Sequence, residues 1–295
     1  MKKPMFKLLL VSTLLASGSA AADEISKILD ADPNAEIKVF NTAGEIEIEG
    51  WSKNQVEVEA DLGSSVEELI FRSDGDDVLI EVKVPKRGSR SIVSDLVIKV
   101  PMGASLNIDG VSADIVVEGV RGRQDLQTVS GDIETVVFDN DLVAETVSGD
   151  IVAEGNDEPM RTKANTVSGE IEIRNFDGEI EISAVSGDLA IYDSRFEDVN
   201  AQTVNGDIEY NAGLYGESRM HLETVNGEVD VNLDDEVSAK IDVETFNGNI
   251  RNCFGPEPQR TSKYAPGREL KFTSGDGGGR VVIRTLNGDV SICND

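Results

Sequence analysis

A phrase of nine residues recurs along this chain. It reads LQTVSGDIE around position 130, AETVSGDIV 18 residues later and ANTVSGEIE 20 after that. A repeat this short restricts the fold severely, because one such unit cannot enclose a core and must bury its apolar face against its neighbours. With the turn glycine as position zero, the repeat falls at Gly131, Gly149, Gly169, Gly187, Gly206, Gly227, Gly248 and Gly288. The spacings are 18, 20, 18, 19, 21, 21 and 40. Ala113 in GVSADI holds the same place another 18 back, and Gly44 in NTAGEIEI is a more distant relative.

The columns of this alignment carry the structural signal. Position +2 holds Ile133, Ile151, Ile171, Leu189, Ile208, Val229, Ile250 and Val290. Position −5 holds Leu126, Ala144, Ala164, Ile182, Ala201, Leu222, Val243 and Ile283, and position −7 is mostly apolar as well. Polar residues such as Gln127, Glu145, Gln202 and Glu223 stand at −4. This is period-two alternation on each side of a turn, built from β-branched residues that suit strands. Each repeat therefore reads as strand, Ser/Asn-Gly corner, strand and a second turn of variable length. At position −2 stand Val129, Val147, Val167, Val185, Val204, Val225, Phe246 and Leu286. Their apolar character predicts that the corner sends this residue inward, with the acid after the glycine outside.

Such a unit can string into antiparallel hairpins or stack into a solenoid. Column identity favours the solenoid, where equivalent residues lie ~4.8 Å apart on neighbouring strands and like packs on like. The expected fold is all-β, a single-stranded parallel β-helix with coils of 18–21 residues, making a rod about 40–50 Å long. The handedness is not assigned. Residues 111–295 form the regular repeats, with 254–280 as an insertion followed by a C-terminal cap. Residues 23–110 are less regular and read as the opening, wider turns, capped by EISKILDA at 24–31. Exposed strand edges require such caps.

The first 22 residues differ from the rest. Lys2, Lys3 and Lys7 precede or flank the apolar run LLLVSTLLA, and SGSAAA follows. That is the pattern of a secretory leader, cleaved before Asp23 after Ala20 and Ala22. The run is too short to span a bilayer, which takes about 20 apolar residues, and no second apolar segment follows. The expected location is the periplasm or the exterior. Without the leader, 24 basic residues face 56 acidic ones, a net charge of −32. That field disfavours nucleic acid and anionic lipid as partners and favours cations.

Cys253 and Cys293 each stand five residues after a corner glycine and so share a column. If 254–280 is a loop, their coils are neighbours and their Cα atoms fall within disulfide range. An exported chain is oxidised, so the expected bond is Cys253–Cys293. The loop itself holds Arg260, Lys263, Tyr264 and Arg268 in an acidic chain. It reads as a cover for the end of the solenoid or as a partner-binding protrusion.

Candidate chemistry is sparse. The Ser-Gly-Asp corners and SGDGGG lack the Lys and helix of a phosphate loop. A serine hydrolase needs a His base, and His221 is the only histidine. Its position in the alternation points it to solvent. Asp132, Asp150, Glu170, Asp188 and Asp207 form a column after the glycine. They read as acceptors of backbone N–H groups at the corner, or alternatively as a calcium ladder. No other cofactor and no catalytic residue is expected. Phe138, Phe176, Phe196 and Tyr215 sit at second-turn positions, where they either cover the core's end or stack on sugars.

The segments AEIKVFNTAGEIEIEGW and DLVIKVPMGASLNIDGVSADIVVEG, with serial TVSGDI and TVNGDI, resemble the bacterial "putative adhesin" domain family, a domain of unknown function. The resemblance runs from about 34 to 293. It implies a β-solenoid and supplies no catalytic residue. The expectation is an exported, non-enzymatic adhesin or envelope interaction module whose partner is an envelope protein, a glycan or a cationic peptide. The alternatives are a carbohydrate-active β-helix enzyme and an envelope-stress sensor that binds cationic peptides.

Overall fold

The computed structural model describes residues 23–85, 91–233, 237–264 and 266–294. The leader expected at 1–22 lies outside them. Every regular element among the described residues is a β-strand, and the repeats form a parallel β-solenoid. Each coil has two faces joined at the Ser/Asn-Gly-Asp corner. In the coil of Gly149, the first face is Leu142–Glu145 and the second is Ile151–Glu154. Neighbouring coils stack in register: Ala144 lies between Leu126 and Ala164, and Ile151 between Ile133 and Ile171.

The core lies between the two faces. The −7, −5, +2 and +4 columns point into it and are buried from the coil of Ala113 onward, except Asn252 at +4 of the coil of Gly248, which is half-buried. Burying one Ile, Leu or Val side chain contributes about 1.5–3 kcal/mol. A column of them, repeated at every coil, supplies what no single coil can.

The −2 column departs from the sequence expectation. Val111, Val129, Val147, Val167, Val185, Val204, Phe246 and Leu286 are 41–49 % exposed. The residue turned inward is the one before, at −3, where Thr128, Thr146, Thr166, Thr203, Thr224, Thr245 and Thr285 are buried. The alternation that puts −7 and −5 inside runs unbroken through −3, so −2 must face out. A threonine is tolerated inside because its hydroxyl finds an acceptor, described below.

Both ends of the stack depart from sequence order. The strand Glu36–Trp51 is one complete coil. It pairs on one side with Ser105–Glu118 and on the other with Asp77–Lys83 and Ser94–Pro101, all in parallel. It therefore sits between two stretches that follow each other in the chain. The far end mirrors this. Gly279–Asn287 and Val290–Asn294 lie between the coil of Gly227 and the coil of Gly248. The spatial order there is Gly227, Gly288, Gly248. A ladder of side-chain amides follows the same order: Asn226 donates to Asn205 at 2.9 Å, Asn287 to Asn226 at 2.8 Å and Asn247 to Asn287 at 2.8 Å.

Antiparallel strands close the stack. At the N-terminal end Glu68–Asp74 runs against Asp77–Lys83, and Gln55–Leu62 runs between Ser94–Pro101 and Asp23–Asp30. The segment 24–31 thus extends a sheet edge as a strand. At the other end Arg268–Thr273 runs against Ala239–Asn247, and Gln259–Arg260 against Arg268–Thr273. Cys253 and Cys293, on the two neighbouring coils at that end, form a disulfide with Cα atoms 4.8 Å apart.

Candidate functional site: the corner and its exposed ridge

Three sets of contacts build the corner. The first is steric. A β-carbon on Gly149 would lie 1.9 Å from the Gly131 carbonyl oxygen, and one on Gly187 would lie 1.7 Å from that of Gly169. No side chain fits at such distances, so the corners stack only through glycine. The second set is the threonine ladder. Thr146 Oγ1 donates to the Gly131 carbonyl at 3.1 Å, Thr166 to Gly149 at 3.2 Å, Thr203 to Gly187 at 3.0 Å and Thr224 to Gly206 at 2.9 Å. The inserted coil takes part: Thr285 donates to Gly227 at 3.1 Å and Thr245 to Gly288 at 2.9 Å.

The third set is the carboxylate column. Asp132 Oδ1 accepts the Asp150 N–H at 2.9 Å, and Asp150 Oδ1 accepts the Glu170 N–H at 2.8 Å. Asp188 serves Asp207 at 2.8 Å and Asp207 serves Glu228 at 2.7 Å. A carboxylate that accepts a backbone N–H gains a charge-assisted bond, which offsets the repulsion between like charges stacked at ladder spacing. The aspartate column is thus engaged by the backbone of the next coil. Among the described residues no group of three His, Cys, Asp or Glu side chains is placed to hold a metal ion.

With Thr inside and Asp tied to the backbone, the −2 side chains stand out as one straight ridge. In stack order it runs Val111, Val129, Val147, Val167, Val185, Val204, the half-buried Val225, Leu286 and Phe246. At ~4.8 Å per coil it is about 40 Å long. The carboxylate column flanks it on one side and the polar −4 column on the other. A continuous exposed apolar feature with a polar rim is the mark of an interaction surface. The signal for it was present in the sequence as threonine recurring at −3.

The other expected site residues fall elsewhere. Arg260, Lys263, Tyr264 and Arg268 lie together at the C-terminal end, on and beside the short pairing of Gln259–Arg260 with Arg268–Thr273. Tyr264 is 90 % exposed, with the Lys263 ammonium 5.6 Å from its ring centroid. His221 faces out from the first face, its Nε2 3.1 Å from Glu223 Oε2. Phe176 and Phe196 are buried at the second turn. Phe138 is half-buried under the Arg121 guanidinium, and Tyr215 is exposed and bonded to Asp177.

The titrating groups with displaced pKa values are structural. Burial, then the neighbouring Asp125, pushes the Asp109 carboxyl up. Burial, then Glu47, Asp95 and Asp114, does the same to Glu45. Burial and a hydrogen bond to Glu209 at 2.8 Å push the Tyr192 phenol up to about 12.

Known proteins are similar to the chain along most of its length. No curated protein matches the chain. Among solved structures it is similar to a "putative adhesin" from Bacteroides fragilis at 10 % identity, over 93 % of this chain and 98 % of that one, with a TM-score of 0.47. It is also similar to a "putative lipid binding protein" from Parabacteroides distasonis at 15 % identity, over 92 % and 96 %, with a TM-score of 0.45. A "putative cell adhesion protein" from Clostridium sporogenes matches at 11 % identity over 92 % and 100 %, with a TM-score of 0.26. The family described as Toastrack DUF4097 matches residues 16–191 and 178–293, and with nearly the whole solenoid covered the chain belongs to that family.

Proposed function

We propose that this chain is an exported, non-enzymatic interaction module of the adhesin type, acting at the cell envelope through the corner ridge. The ridge carries the reading. Apolar side chains held at fixed spacing on stacked backbone need no ordering on binding, so little entropy opposes association. The leader pattern at 1–22 and the Cys253–Cys293 bond support export, since disulfides persist in oxidising compartments. No helix among the described residues is long and apolar enough to cross a membrane. N-terminal sequencing of the exported protein is expected to start at Asp23.

A photo-crosslinking residue tests the contact face. Placed at Val167 on the ridge, it is expected to yield adducts with envelope components in living cells. Placed at Glu172, on the second face, it yields none. Adducts from Glu172 alone would move the contact face elsewhere.

A second reading is favoured by the flanks of the ridge. The carboxylates beside the valines suit a partner with apolar and cationic groups side by side, the chemistry of a cationic peptide. Binding of this kind weakens as salt rises, whereas contact through the valines alone does not.

A further inference from the structure

The C-terminal end of the rod has a different charge from the rest. Residues 237–294 carry eight Lys and Arg against six Asp and Glu, in a chain whose remainder is strongly acidic. On the first face, eight residues before the corner glycine, Arg219, Arg280 and Lys240 stand directly opposite one another on three neighbouring strands. Like charges directly opposed destabilise a sheet.

Further along this row the charges are paired, Arg161 with Glu179 at 3.0 Å, and Arg219 itself is held by Asp198 at 2.7 Å, which leaves Arg280 and Lys240 as the uncompensated members. Arg280 and Lys240 have no ion-pair partner among the described residues. Of the acids on the adjoining strands, Glu269 is taken by Lys271 at 3.0 Å, and Lys271 lies 3.8 Å from Asp242.

The glycine-rich turn SGDGGG, which fits no phosphate-loop pattern in the sequence, delivers Arg280 to this place. Gly275 and Gly277 adopt φ of 57° and 72°, a region that favours glycine. The Ser238 hydroxyl fixes the turn by accepting the N–H of Asp276 at 2.9 Å and of Gly277 at 3.2 Å. A β-carbon on Gly277 would lie 3.6 Å from Lys240 Cγ, so the turn packs along the lysine stem. Beside the row is a shallow depression of about 510 Å³, lined by Arg219, His221, Arg280, Val282 and Arg284, with the Asp198 carboxylate on its far side bound to Arg219. Val282 faces outward yet is only 8 % exposed, so the charged neighbours close over an apolar floor.

We propose that the Arg219–Arg280–Lys240 row is a binding site for a compact, multiply charged oxyanion of the phosphate or pyrophosphate class, free or carried at the end of a larger molecule. The anion relieves the repulsion between the opposed cations, and the guanidinium of Arg280 offers paired N–H donors that match its oxygens. The surrounding negative field excludes long polyanions, because beyond about one Debye length the rod is repulsive. This site is independent of the ridge and does not rest on the adhesin reading.

Calorimetric titration of the mature chain with inorganic pyrophosphate at low ionic strength tests it. Saturable binding is expected, weakened at least about tenfold in the K240Q/R280Q double variant, as for the loss of charge-assisted bonds. Melting temperature is expected to hold or rise in that variant, because the opposed charges are gone. R251Q removes an exposed cation from the second-face strand Ile250–Asn252 and is expected to leave binding unchanged. A second arm uses vesicles bearing a phosphate-monoester lipid. Vesicle binding lost in the double variant assigns a membrane source to the anion, and pyrophosphate binding without vesicle binding assigns a soluble one. No binding of either probe by the wild type, equal binding by the double variant, or an equal loss in R251Q overturns the proposal.

Discussion

The Asp150 N–H donates to Asp132 Oδ1, one coil away, at 2.9 Å. That bond, the Thr146 bond to the Gly131 carbonyl and the close approach of Gly149 to the same carbonyl form one joint, repeated along the rod. Between the coils of Gly169 and Gly187 two of its parts are missing. Ala184 stands where the other glycine corners from Gly131 on have threonine, and Asp188 faces Glu170, to which no such backbone bond is made among the described residues. Among the corners from Gly131 to Gly288, this step is therefore held by the fewest of these bonds.

Filling the gap should strengthen the rod. A184T supplies a hydroxyl for the Gly169 carbonyl, and E170D supplies a carboxylate of the length that reaches the Asp188 N–H. Each is expected to add about 0.5–1.5 kcal/mol, the net value of one hydrogen bond. The reverse change, T203V, leaves a buried carbonyl short of a donor and should cost about 1–2 kcal/mol. Urea denaturation of the three variants checks all of these signs.

Steric closure at the corner is a stricter test. G169A would place a β-carbon 1.9 Å from the Gly149 carbonyl oxygen. The coils must part to admit it, at a cost of about 3 kcal/mol or more. G75A provides the control. Nothing lies within 4 Å of a β-carbon there, so only backbone strain at φ 64° remains.

The Cys253–Cys293 bond joins residues 40 apart and fastens the inserted coil to the outermost one. Chain-entropy arguments give it about 4 kcal/mol. Reduction, or the C253S/C293S variant, is expected to lower the melting temperature and to open the C-terminal end to protease before the middle of the rod. The inserted coil can leave only if the coils of Gly227 and Gly248 separate, so the cleavage sites should lie after Gly227.

Two carboxyls contribute stability on acidification from neutral pH. Asp109 and Glu45 hold protons more tightly when folded, because burial disfavours their charged forms. The folded state then binds more protons than the unfolded one, and stability rises as pH falls through their raised folded values. Their share is complete below the ordinary values of 3.8 and 4.5 and is lost as pH rises through the folded ones. In thermal melts taken as pH falls from neutral, D109N is expected to gain less, or lose more, than wild type.

Much of the fold was legible in the sequence, since every stacked contact between coils repeats a column. Ala144 beside Leu126 and Ile151 beside Ile133 are the columns themselves. Two features escaped. Valine at −2 was placed inside by its hydrophobicity, although the strand alternation through −3 already put Thr146 there. The decisive fact was that a buried threonine can bond to a carbonyl one coil away, a contact between residues 15 apart. The order of coils at the ends was also hidden. Adjacent coils share the same columns whatever their sequence order, so the repeat cannot tell Gly248 from Gly288 as the neighbour of Gly227.

The central claim is that the −2 valines serve contact and the −3 threonines serve stability. The direct measurement is a pair of assays on the V147S/V167S/V185S variant: thermal melting, and capture of envelope material on the immobilised protein. The account predicts a melting temperature close to wild type, as expected for exposed side chains, together with a marked loss of capture. A large drop in melting temperature with capture intact would contradict it.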